Sequence, residues 1–145
     1  MKVRVISKSS KALKRIDNAI QNLEDNVEKE VQESTERMLN NIKMNAPVDT
    51  GALRESFKAS YEWKGKTYTG MIESDSPYLK YVLYGTGIYE VNGKGRKTPW
   101  VYKDRHGNYR FTHGMQPNPF IDKALLDEKR NLRRAIRKAI KKSFK

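Results

Sequence analysis

The sequence predicts an α+β domain: a long N-terminal helix and a C-terminal helix packed on a small antiparallel sheet, with a long glycine-rich loop. Three observations predict it. Leu13, Ile16, Ile20, Leu23, Val27 and Val31 recur at three- and four-residue steps, and the series resumes at Met38 and Ile42, the period of one helix face. Phe57, Ala59, Tyr61 and Trp63 alternate with Lys58, Ser60 and Glu62, and Lys64-Gly65-Lys66 then leads into Tyr68–Ser74. That is the pattern of a hairpin. Ile121, Leu125, Leu132, Ile136 and Ile140 restore the helical period near the end of the chain.

The elements follow in order. Met1–Ile6 alternates Val3 and Val5 with Lys2, Arg4 and Ile6, which suits a short strand or arm. The first helix runs for about eight turns, longer than a small domain covers completely: either a later helix or another subunit lies along it, or it is an ordinary amphipathic helix that bends around its own core. Pro47 has no N–H and disfavours helix at Ala46, so the helix stops near Asn45. Asp49 or Thr50 then caps a short helix through its free N–H groups. Gly51 sits in its first turn, where a side chain would meet neighbouring backbone, and Leu53 and Phe57 share its buried face. After the hairpin, Ser76 caps and Pro77 opens a short apolar helix of Tyr78, Leu79, Tyr81, Val82 and Leu83, which Gly85 ends. Residues 85–115 hold six of the nine glycines and read as a flexible loop. Within it Thr98–Lys103 and Tyr109–His113 flank a turn. Asn118 caps the last helix, Pro119 takes its first position, and Asp122 suits its positive end.

The chain has 145 residues and reads as one domain, 1–145, with a basic helical tail over 128–145. It has no cysteine, hence no disulfide framework and no thiolate metal site. No signal peptide is apparent, and no apolar run approaches the ~20 residues of a membrane helix. The net charge of +13 favours a polyanion or an acidic protein surface. The charge is also patterned. Glu24, Asp25, Glu28, Glu30, Glu33 and Glu36 make the first helix acidic in its middle. Lys129, Arg130, Arg133, Arg134, Arg137, Lys138, Lys141, Lys142 and Lys145 make the last segment basic. The two invite pairing, within a chain or between chains.

Motifs for chemistry are weak. Asp49-Thr50-Gly51 matches the aspartic-protease tripeptide, but it leads into a helix instead of following an apolar strand. His106 and His113, seven apart across a turn, lack the carboxylate cluster a metal site needs. Asp104 with His106 has the residue types of acid–base work in a small nuclease or toxin; surface turn residues are the plainer reading. Gly85-Thr-Gly87 and Gly93-Lys-Gly95 lack the rest of a phosphate-loop fingerprint. The basic turn Gly93–Lys97 beside Trp100, Tyr102 and Tyr109 has the mix of cations and aromatics that holds nucleic acid.

Three stretches occur in a telling order: Asn-Ala-Pro-Val-Asp-Thr-Gly-Ala-Leu-Arg-Glu-Ser, then Pro-Tyr-Leu-Lys-Tyr-Val-Leu-Tyr-Gly-Thr-Gly, then Gln-Pro-Asn-Pro-Phe-Ile-Asp-Lys-Ala-Leu. Together, over roughly residues 38–126, they resemble the tail-completion, or head–tail joining, family of long-tailed bacteriophages. That family usually has an acidic residue where this chain has Leu83, so no contact of that carboxylate carries over. The resemblance implies a virion structural protein of the tail or neck, with no enzyme activity, no cofactor and no metal. It implies a homo-oligomer, commonly a hexameric ring, that meets a tail-tube or tail-terminator protein and a head connector protein. Passing contact with DNA fits that place; a membrane does not. Pro47, Asp49, Thr50, Gly51 and Leu53 are then the structural turn. Tyr81, Tyr84, Gly85 and Thr86 shape the base of the loop, and Lys94, Arg96, Lys97 and Trp100 are candidates for its contact tip. The rival readings are a basic nucleic-acid-binding protein and a small nuclease or toxin.

Overall fold

The computed structural model describes residues 9–144. The strand or arm expected over 1–6 lies outside them. The first helix, α1 (Ser9–Asn45), is 37 residues long, roughly 55 Å. It stops where Pro47 requires, and Ala46 closes the last turn through N–H to Ile42 O at 2.8 Å. Then come a one-turn helix, α2 (Ala52–Glu55), the strands β1 (Phe57–Lys64) and β2 (Thr67–Ser74), and the short α3 (Leu79–Tyr84). A 3₁₀ turn at Gly87–Tyr89 leads to β3 (Trp100–Lys103), β4 (Tyr109–Thr112) and the last helix, α4 (Phe120–Ser143). The antiparallel strands form two ribbons. β1 pairs with β2 from Phe57↔Ser74 to Lys64↔Thr67, and β3 pairs with β4 from Trp100↔Thr112 to Lys103↔Tyr109.

The core gathers at the C-terminal end of α1. Leu39, Ile42 and Ala46 meet Phe57 of β1, Val82 of α3, and Phe120 and Ala124 of α4. Leu53 packs against this cluster from α2 and Phe57 from the start of β1. The two therefore share a core but not a helix. Elsewhere α1 is flanked by partners. The β1–β2 ribbon lies on one side, where Tyr61 Oη donates to Glu36, Trp63 Nε1 to Glu28 at 3.2 Å, and Gln32 Nε2 to Tyr68 Oη at 2.7 Å. Burial and the bond to Glu36 push the Tyr61 phenol up to about 12. On the other side lies α4.

The seam between α1 and α4 differs from the apolar stripe read in the sequence. Its buried residues are Phe120, Ala124, Glu128, Ala139 and Ser143. Leu125 and Ile140, expected to be buried, are 50% and 42% exposed. Small side chains let two long helices approach; Leu125 and Ile140 turn outward, while Ile121, Leu132 and Ile136 stay partly buried. Among the described residues, the expected pairing of acidic α1 with basic α4 within the chain does not occur. The interhelical ion pair among the described residues runs the other way, from Arg37 of α1 to Glu128 of α4 at 2.9 Å. Acids of α1 are used elsewhere: Glu28 and Glu36 on the ribbon, Glu33 on Lys29 and Arg37.

Glu128 makes the seam sensitive to acid. Burial alone would raise its carboxyl. Hydrogen bonds from Arg37 and from Ser34 Oγ (2.8 Å), with the Arg37 charge, outweigh burial and hold it below the usual carboxylate range. A lowered folded-state pKa gives stability that is present above the unfolded value, near 4.3, and is lost as pH falls through the folded value. The E128Q variant is expected to melt lower than the parent at neutral pH, by about 1–3 kcal/mol. The two melting temperatures should converge as the pH drops below about 4. Melting curves that stay parallel across that range would remove Glu128 from the acid response.

The capping expectations hold in part. Thr50 Oγ1 accepts the Ala52 N–H at 3.3 Å, the bond expected of it, while Gly51, at φ +87°, stands at the N-cap position of α2 and Asp49 pairs with Arg105 at 3.0 Å. Nothing crowds a Cβ at Gly51, so its left-handed backbone, not space, explains the glycine. At α3, Ser76 Oγ accepts the Tyr78 N–H at 3.3 Å, and the cap itself is Tyr78. At α4 the cap is Pro119, while Asn118 donates its backbone N–H to Val82 O at 2.9 Å. The Thr50 and Ser76 bonds are local, two residues along the chain, whereas Asn118 joins a tertiary contact; in all three places the cap lies one or two residues later than expected.

Candidate partner-binding surfaces

Gly85 closes α3 at φ +76°, with a built Cβ 2.7 Å from Met115 O and 3.0 Å from Tyr89 O. Only glycine fits that crossing. Around it the loop is sewn to the strand that returns. Thr86 N–H donates to Met115 O at 2.8 Å, Met115 N–H to Thr86 Oγ1 at 2.9 Å, Ile88 N–H to His113 O at 3.1 Å, and Val91 N–H to Tyr84 O at 3.0 Å.

This stitching brings together most of the residues proposed from sequence as loop base and contact tip. Tyr81, Tyr84, Gly85, Thr86, Lys94, Arg96 and Trp100 line one open hollow of ≈ 450 Å³; Lys97 does not line it. The Arg96 guanidinium lies 5.6 Å from the centre of the Trp100 ring, and Lys80 Nζ lies 4.9 Å from that of Tyr81. Cation–aromatic pairs of this kind place charge and flat apolar surface side by side. Sequence reasoning missed Glu90. Its carboxylate accepts the Lys94 N–H at 2.7 Å and Asn92 Nδ2 at 2.9 Å. Desolvation would raise this carboxyl, but the N–H donors of Lys94 and Asn92 outweigh it and hold it low. It fixes the Glu90–Gly95 turn, and the signal for it was an acid two residues before an Asn-Gly pair.

The β3–β4 ribbon beyond the hollow presents Val101, Tyr102, Tyr109 and Phe111, each about half exposed or more. Its tip is tied down by Asp104, which accepts the backbone N–H groups of Asn108 and His106 at 2.9 Å and Arg110 Nε at 3.0 Å. The Asn108 N–H and the Arg110 pairing lower its pKa. Asp104 is thus a turn fastener and does not reach the His106 ring, whose Nε2 faces Arg105 Nε at 3.2 Å. His113 stands at the other end of the ribbon against Phe111. Among the described residues no three of His, Cys, Asp and Glu converge to hold a metal. Pro47, Asp49 and Thr50 lie on an exposed turn, joined to the ribbon tip through the Asp49–Arg105 pair. Exposed pairs of this kind contribute about 0–1 kcal/mol.

A second surface is apolar. α4 reaches back along α1 as far as Asn26, whose Nδ2 donates to Ser143 Oγ at 3.0 Å. The part of α1 before that point projects past most of α4. Leu13, Ile16 and Ile20 there are 56%, 55% and 46% exposed, and Phe144, just past the end of α4, is 64% exposed. Ile16 and Phe144 border the same ≈ 530 Å³ hollow. No helix among the described residues is long and apolar enough to cross a membrane.

Compared with known families, the chain matches the family described as "Bacteriophage HK97-gp10, putative tail-component" over residues 10–85, just over half of its length. The match takes in α1, the turn at Pro47–Leu53, the β1–β2 ribbon and α3; the Gln116–Leu125 stretch lies beyond it. No curated protein and no solved structure matches the chain significantly. On the strength of the family match, the chain belongs to the HK97-gp10-like family of bacteriophage tail components.

Proposed function

We propose that this protein joins or completes the phage tail at its head-proximal end, in the neck of the virion. It does so without catalysis, as a ring of identical subunits, hexameric by the resemblance in its sequence. The ring forms in the host cytoplasm and then meets a tail-tube or tail-terminator protein on one side and a head connector protein on the other. The observation that carries this reading is the uncovered apolar face of α1. Three branched aliphatic residues at helical spacing stay about half exposed past the reach of most of α4. Covering them would contribute about 1 kcal/mol each, and a ring repeats that gain at every head-to-tail contact. The hollow around Trp100 and Tyr81 is the face offered to a different protein, because it combines aromatic anchors with arginine, the residue types that dominate interface energetics.

The test uses I16D and I20D together. Both sites are exposed, so the monomer should keep its helical signal and melt within a few degrees of the parent. Self-association, read by sedimentation of the protein alone and with its tail-tube protein, should weaken at least tenfold. A doubly substituted protein that assembles into tails as well as the parent would end the reading.

A further inference from the structure

We propose that α4 carries a sequence-independent binding site for the phosphate backbone of double-stranded DNA. Arg130, Arg133, Arg134, Arg137, Lys138 and Lys141 follow one another at alternating steps of three and one, which keeps them on one helix face. They enclose a shallow hollow of ≈ 570 Å³ that no other residue lines. The seam with α1 uses different positions, so this stripe is not needed to hold the fold. From Arg130 to Lys141 the helix rises about 16 Å, the length over which one DNA strand presents about five phosphates.

The stripe has no anionic partner among the described residues. No ion pair among the described residues holds any of the six, and α4 has no acid after Glu128. The helix dipole favours cations only in the last turn, which covers Lys141 and leaves the four arginines unexplained. A neighbouring copy is a poor match. Half of the acids in the middle of α1 are already engaged: Glu28 with Trp63, Glu36 with Tyr61, and Glu33 with Lys29 and Arg37. Of the other three, Asp25 accepts Gln21 Nε2 at 3.0 Å, which leaves Glu24 and Glu30 against six cations. A polyanion from outside removes that shortage. Arginine outnumbers lysine four to two, as suits the paired oxygens of phosphate. No aromatic residue interrupts the stripe, so it has no platform for stacking bases. This site is independent of the assembly reading, and either can fail alone.

The test is the anisotropy of a labelled random-sequence duplex titrated with the full chain across about 50–200 mM salt. Six phosphate contacts predict a slope of log affinity against log salt of about −5. R130Q/R134Q/R137Q should reduce that slope by about half and weaken binding at least tenfold, with the helical signal unchanged. K94Q/R96Q/K97Q, on the loop, should leave the slope as it was. A slope unmoved by the α4 variant overturns the proposal. So does a tenfold preference for one duplex sequence over another. So, finally, does self-association that is lost equally on R130Q/R134Q/R137Q and on E24Q/D25N/E30Q while no duplex binds, because the occupant would then be a second copy.

Discussion

Phe120→Ala is expected to cost about 3–5 kcal/mol of stability, the range for emptying a buried aromatic site. Phe120 and Phe57 are each 2% exposed and meet edge to face, with ring centres 6.0 Å apart. The pair joins the first turn of α4 to the first residue of β1, over Ile42 of α1 at 1% exposure. Three elements therefore lose their common contact when one ring is removed. The core is small, with eight buried apolar residues among those described, so little remains to absorb the cavity. For a chain of this length the melting temperature should fall by about 10–15 °C. Urea denaturation of parent and variant checks the free energy directly. Phe111→Ala on the exposed β3–β4 ribbon supplies the contrast, with an effect within about 0.5 kcal/mol. If Phe120→Ala cost no more than Phe111→Ala, the convergence of α1, β1 and α4 on that ring would not be the centre of the fold.

The sequence disclosed the elements better than the way they meet. Pro47 located the end of α1 because a missing N–H and a steric clash act locally. The two-residue turn after Lys64 located the first ribbon for the same reason, and the register Lys64↔Thr67 follows from it. The seam was hidden because periodicity weighs large apolar side chains. Here the closest approach uses Ala124, Ala139 and Ser143, and the buried carboxylate of Glu128 reads on paper as a solvated charge. Charge complementarity between the two helices looked like an intrachain device. Its failure follows from geometry: the ribbon and α1 itself take up four of the six acids, and the cations of α4 face away from the seam.

The hollow around Trp100 was half legible. Its residues fall within Lys80–Trp100, so proximity in sequence predicted proximity in space for most of them. The closure came from farther away, from Met115 and His113, whose carbonyls receive the N–H groups of Thr86 and Ile88. Nothing in the local pattern announces a bond across about 25 residues. Glycine was the only trace of it, since close backbone approach leaves no room for a side chain.

That trace can be tested at Gly87. It has φ +64°, and a built Cβ would run into His113 O and lie 2.8 Å from Gly114 Cα. Gly87→Ala therefore combines a left-handed backbone, about 1–2 kcal/mol for a residue with a side chain, with overpacking against main chain, about 1–3 kcal/mol. The damage should stay at the base of the ribbon. Amide exchange at Thr86, Ile88 and Val91 is expected to speed up about 30-fold or more, tenfold for each 1.4 kcal/mol. Ala46, at the end of α1, should keep its protection. Gly93→Ala is the control: it shares a positive φ, +70°, but nothing lies within 4 Å of a Cβ there, so only the backbone strain remains. If the two substitutions prove equal, backbone strain is the whole effect and the crossing at His113 is not tight. If Gly87→Ala loosens the ribbon while the core holds, the same protein becomes the sharpest probe of the assembly reading. It keeps Tyr81 and Trp100 but not their arrangement, and loss of tail-partner binding would then be due to the shape of the hollow and not to its composition.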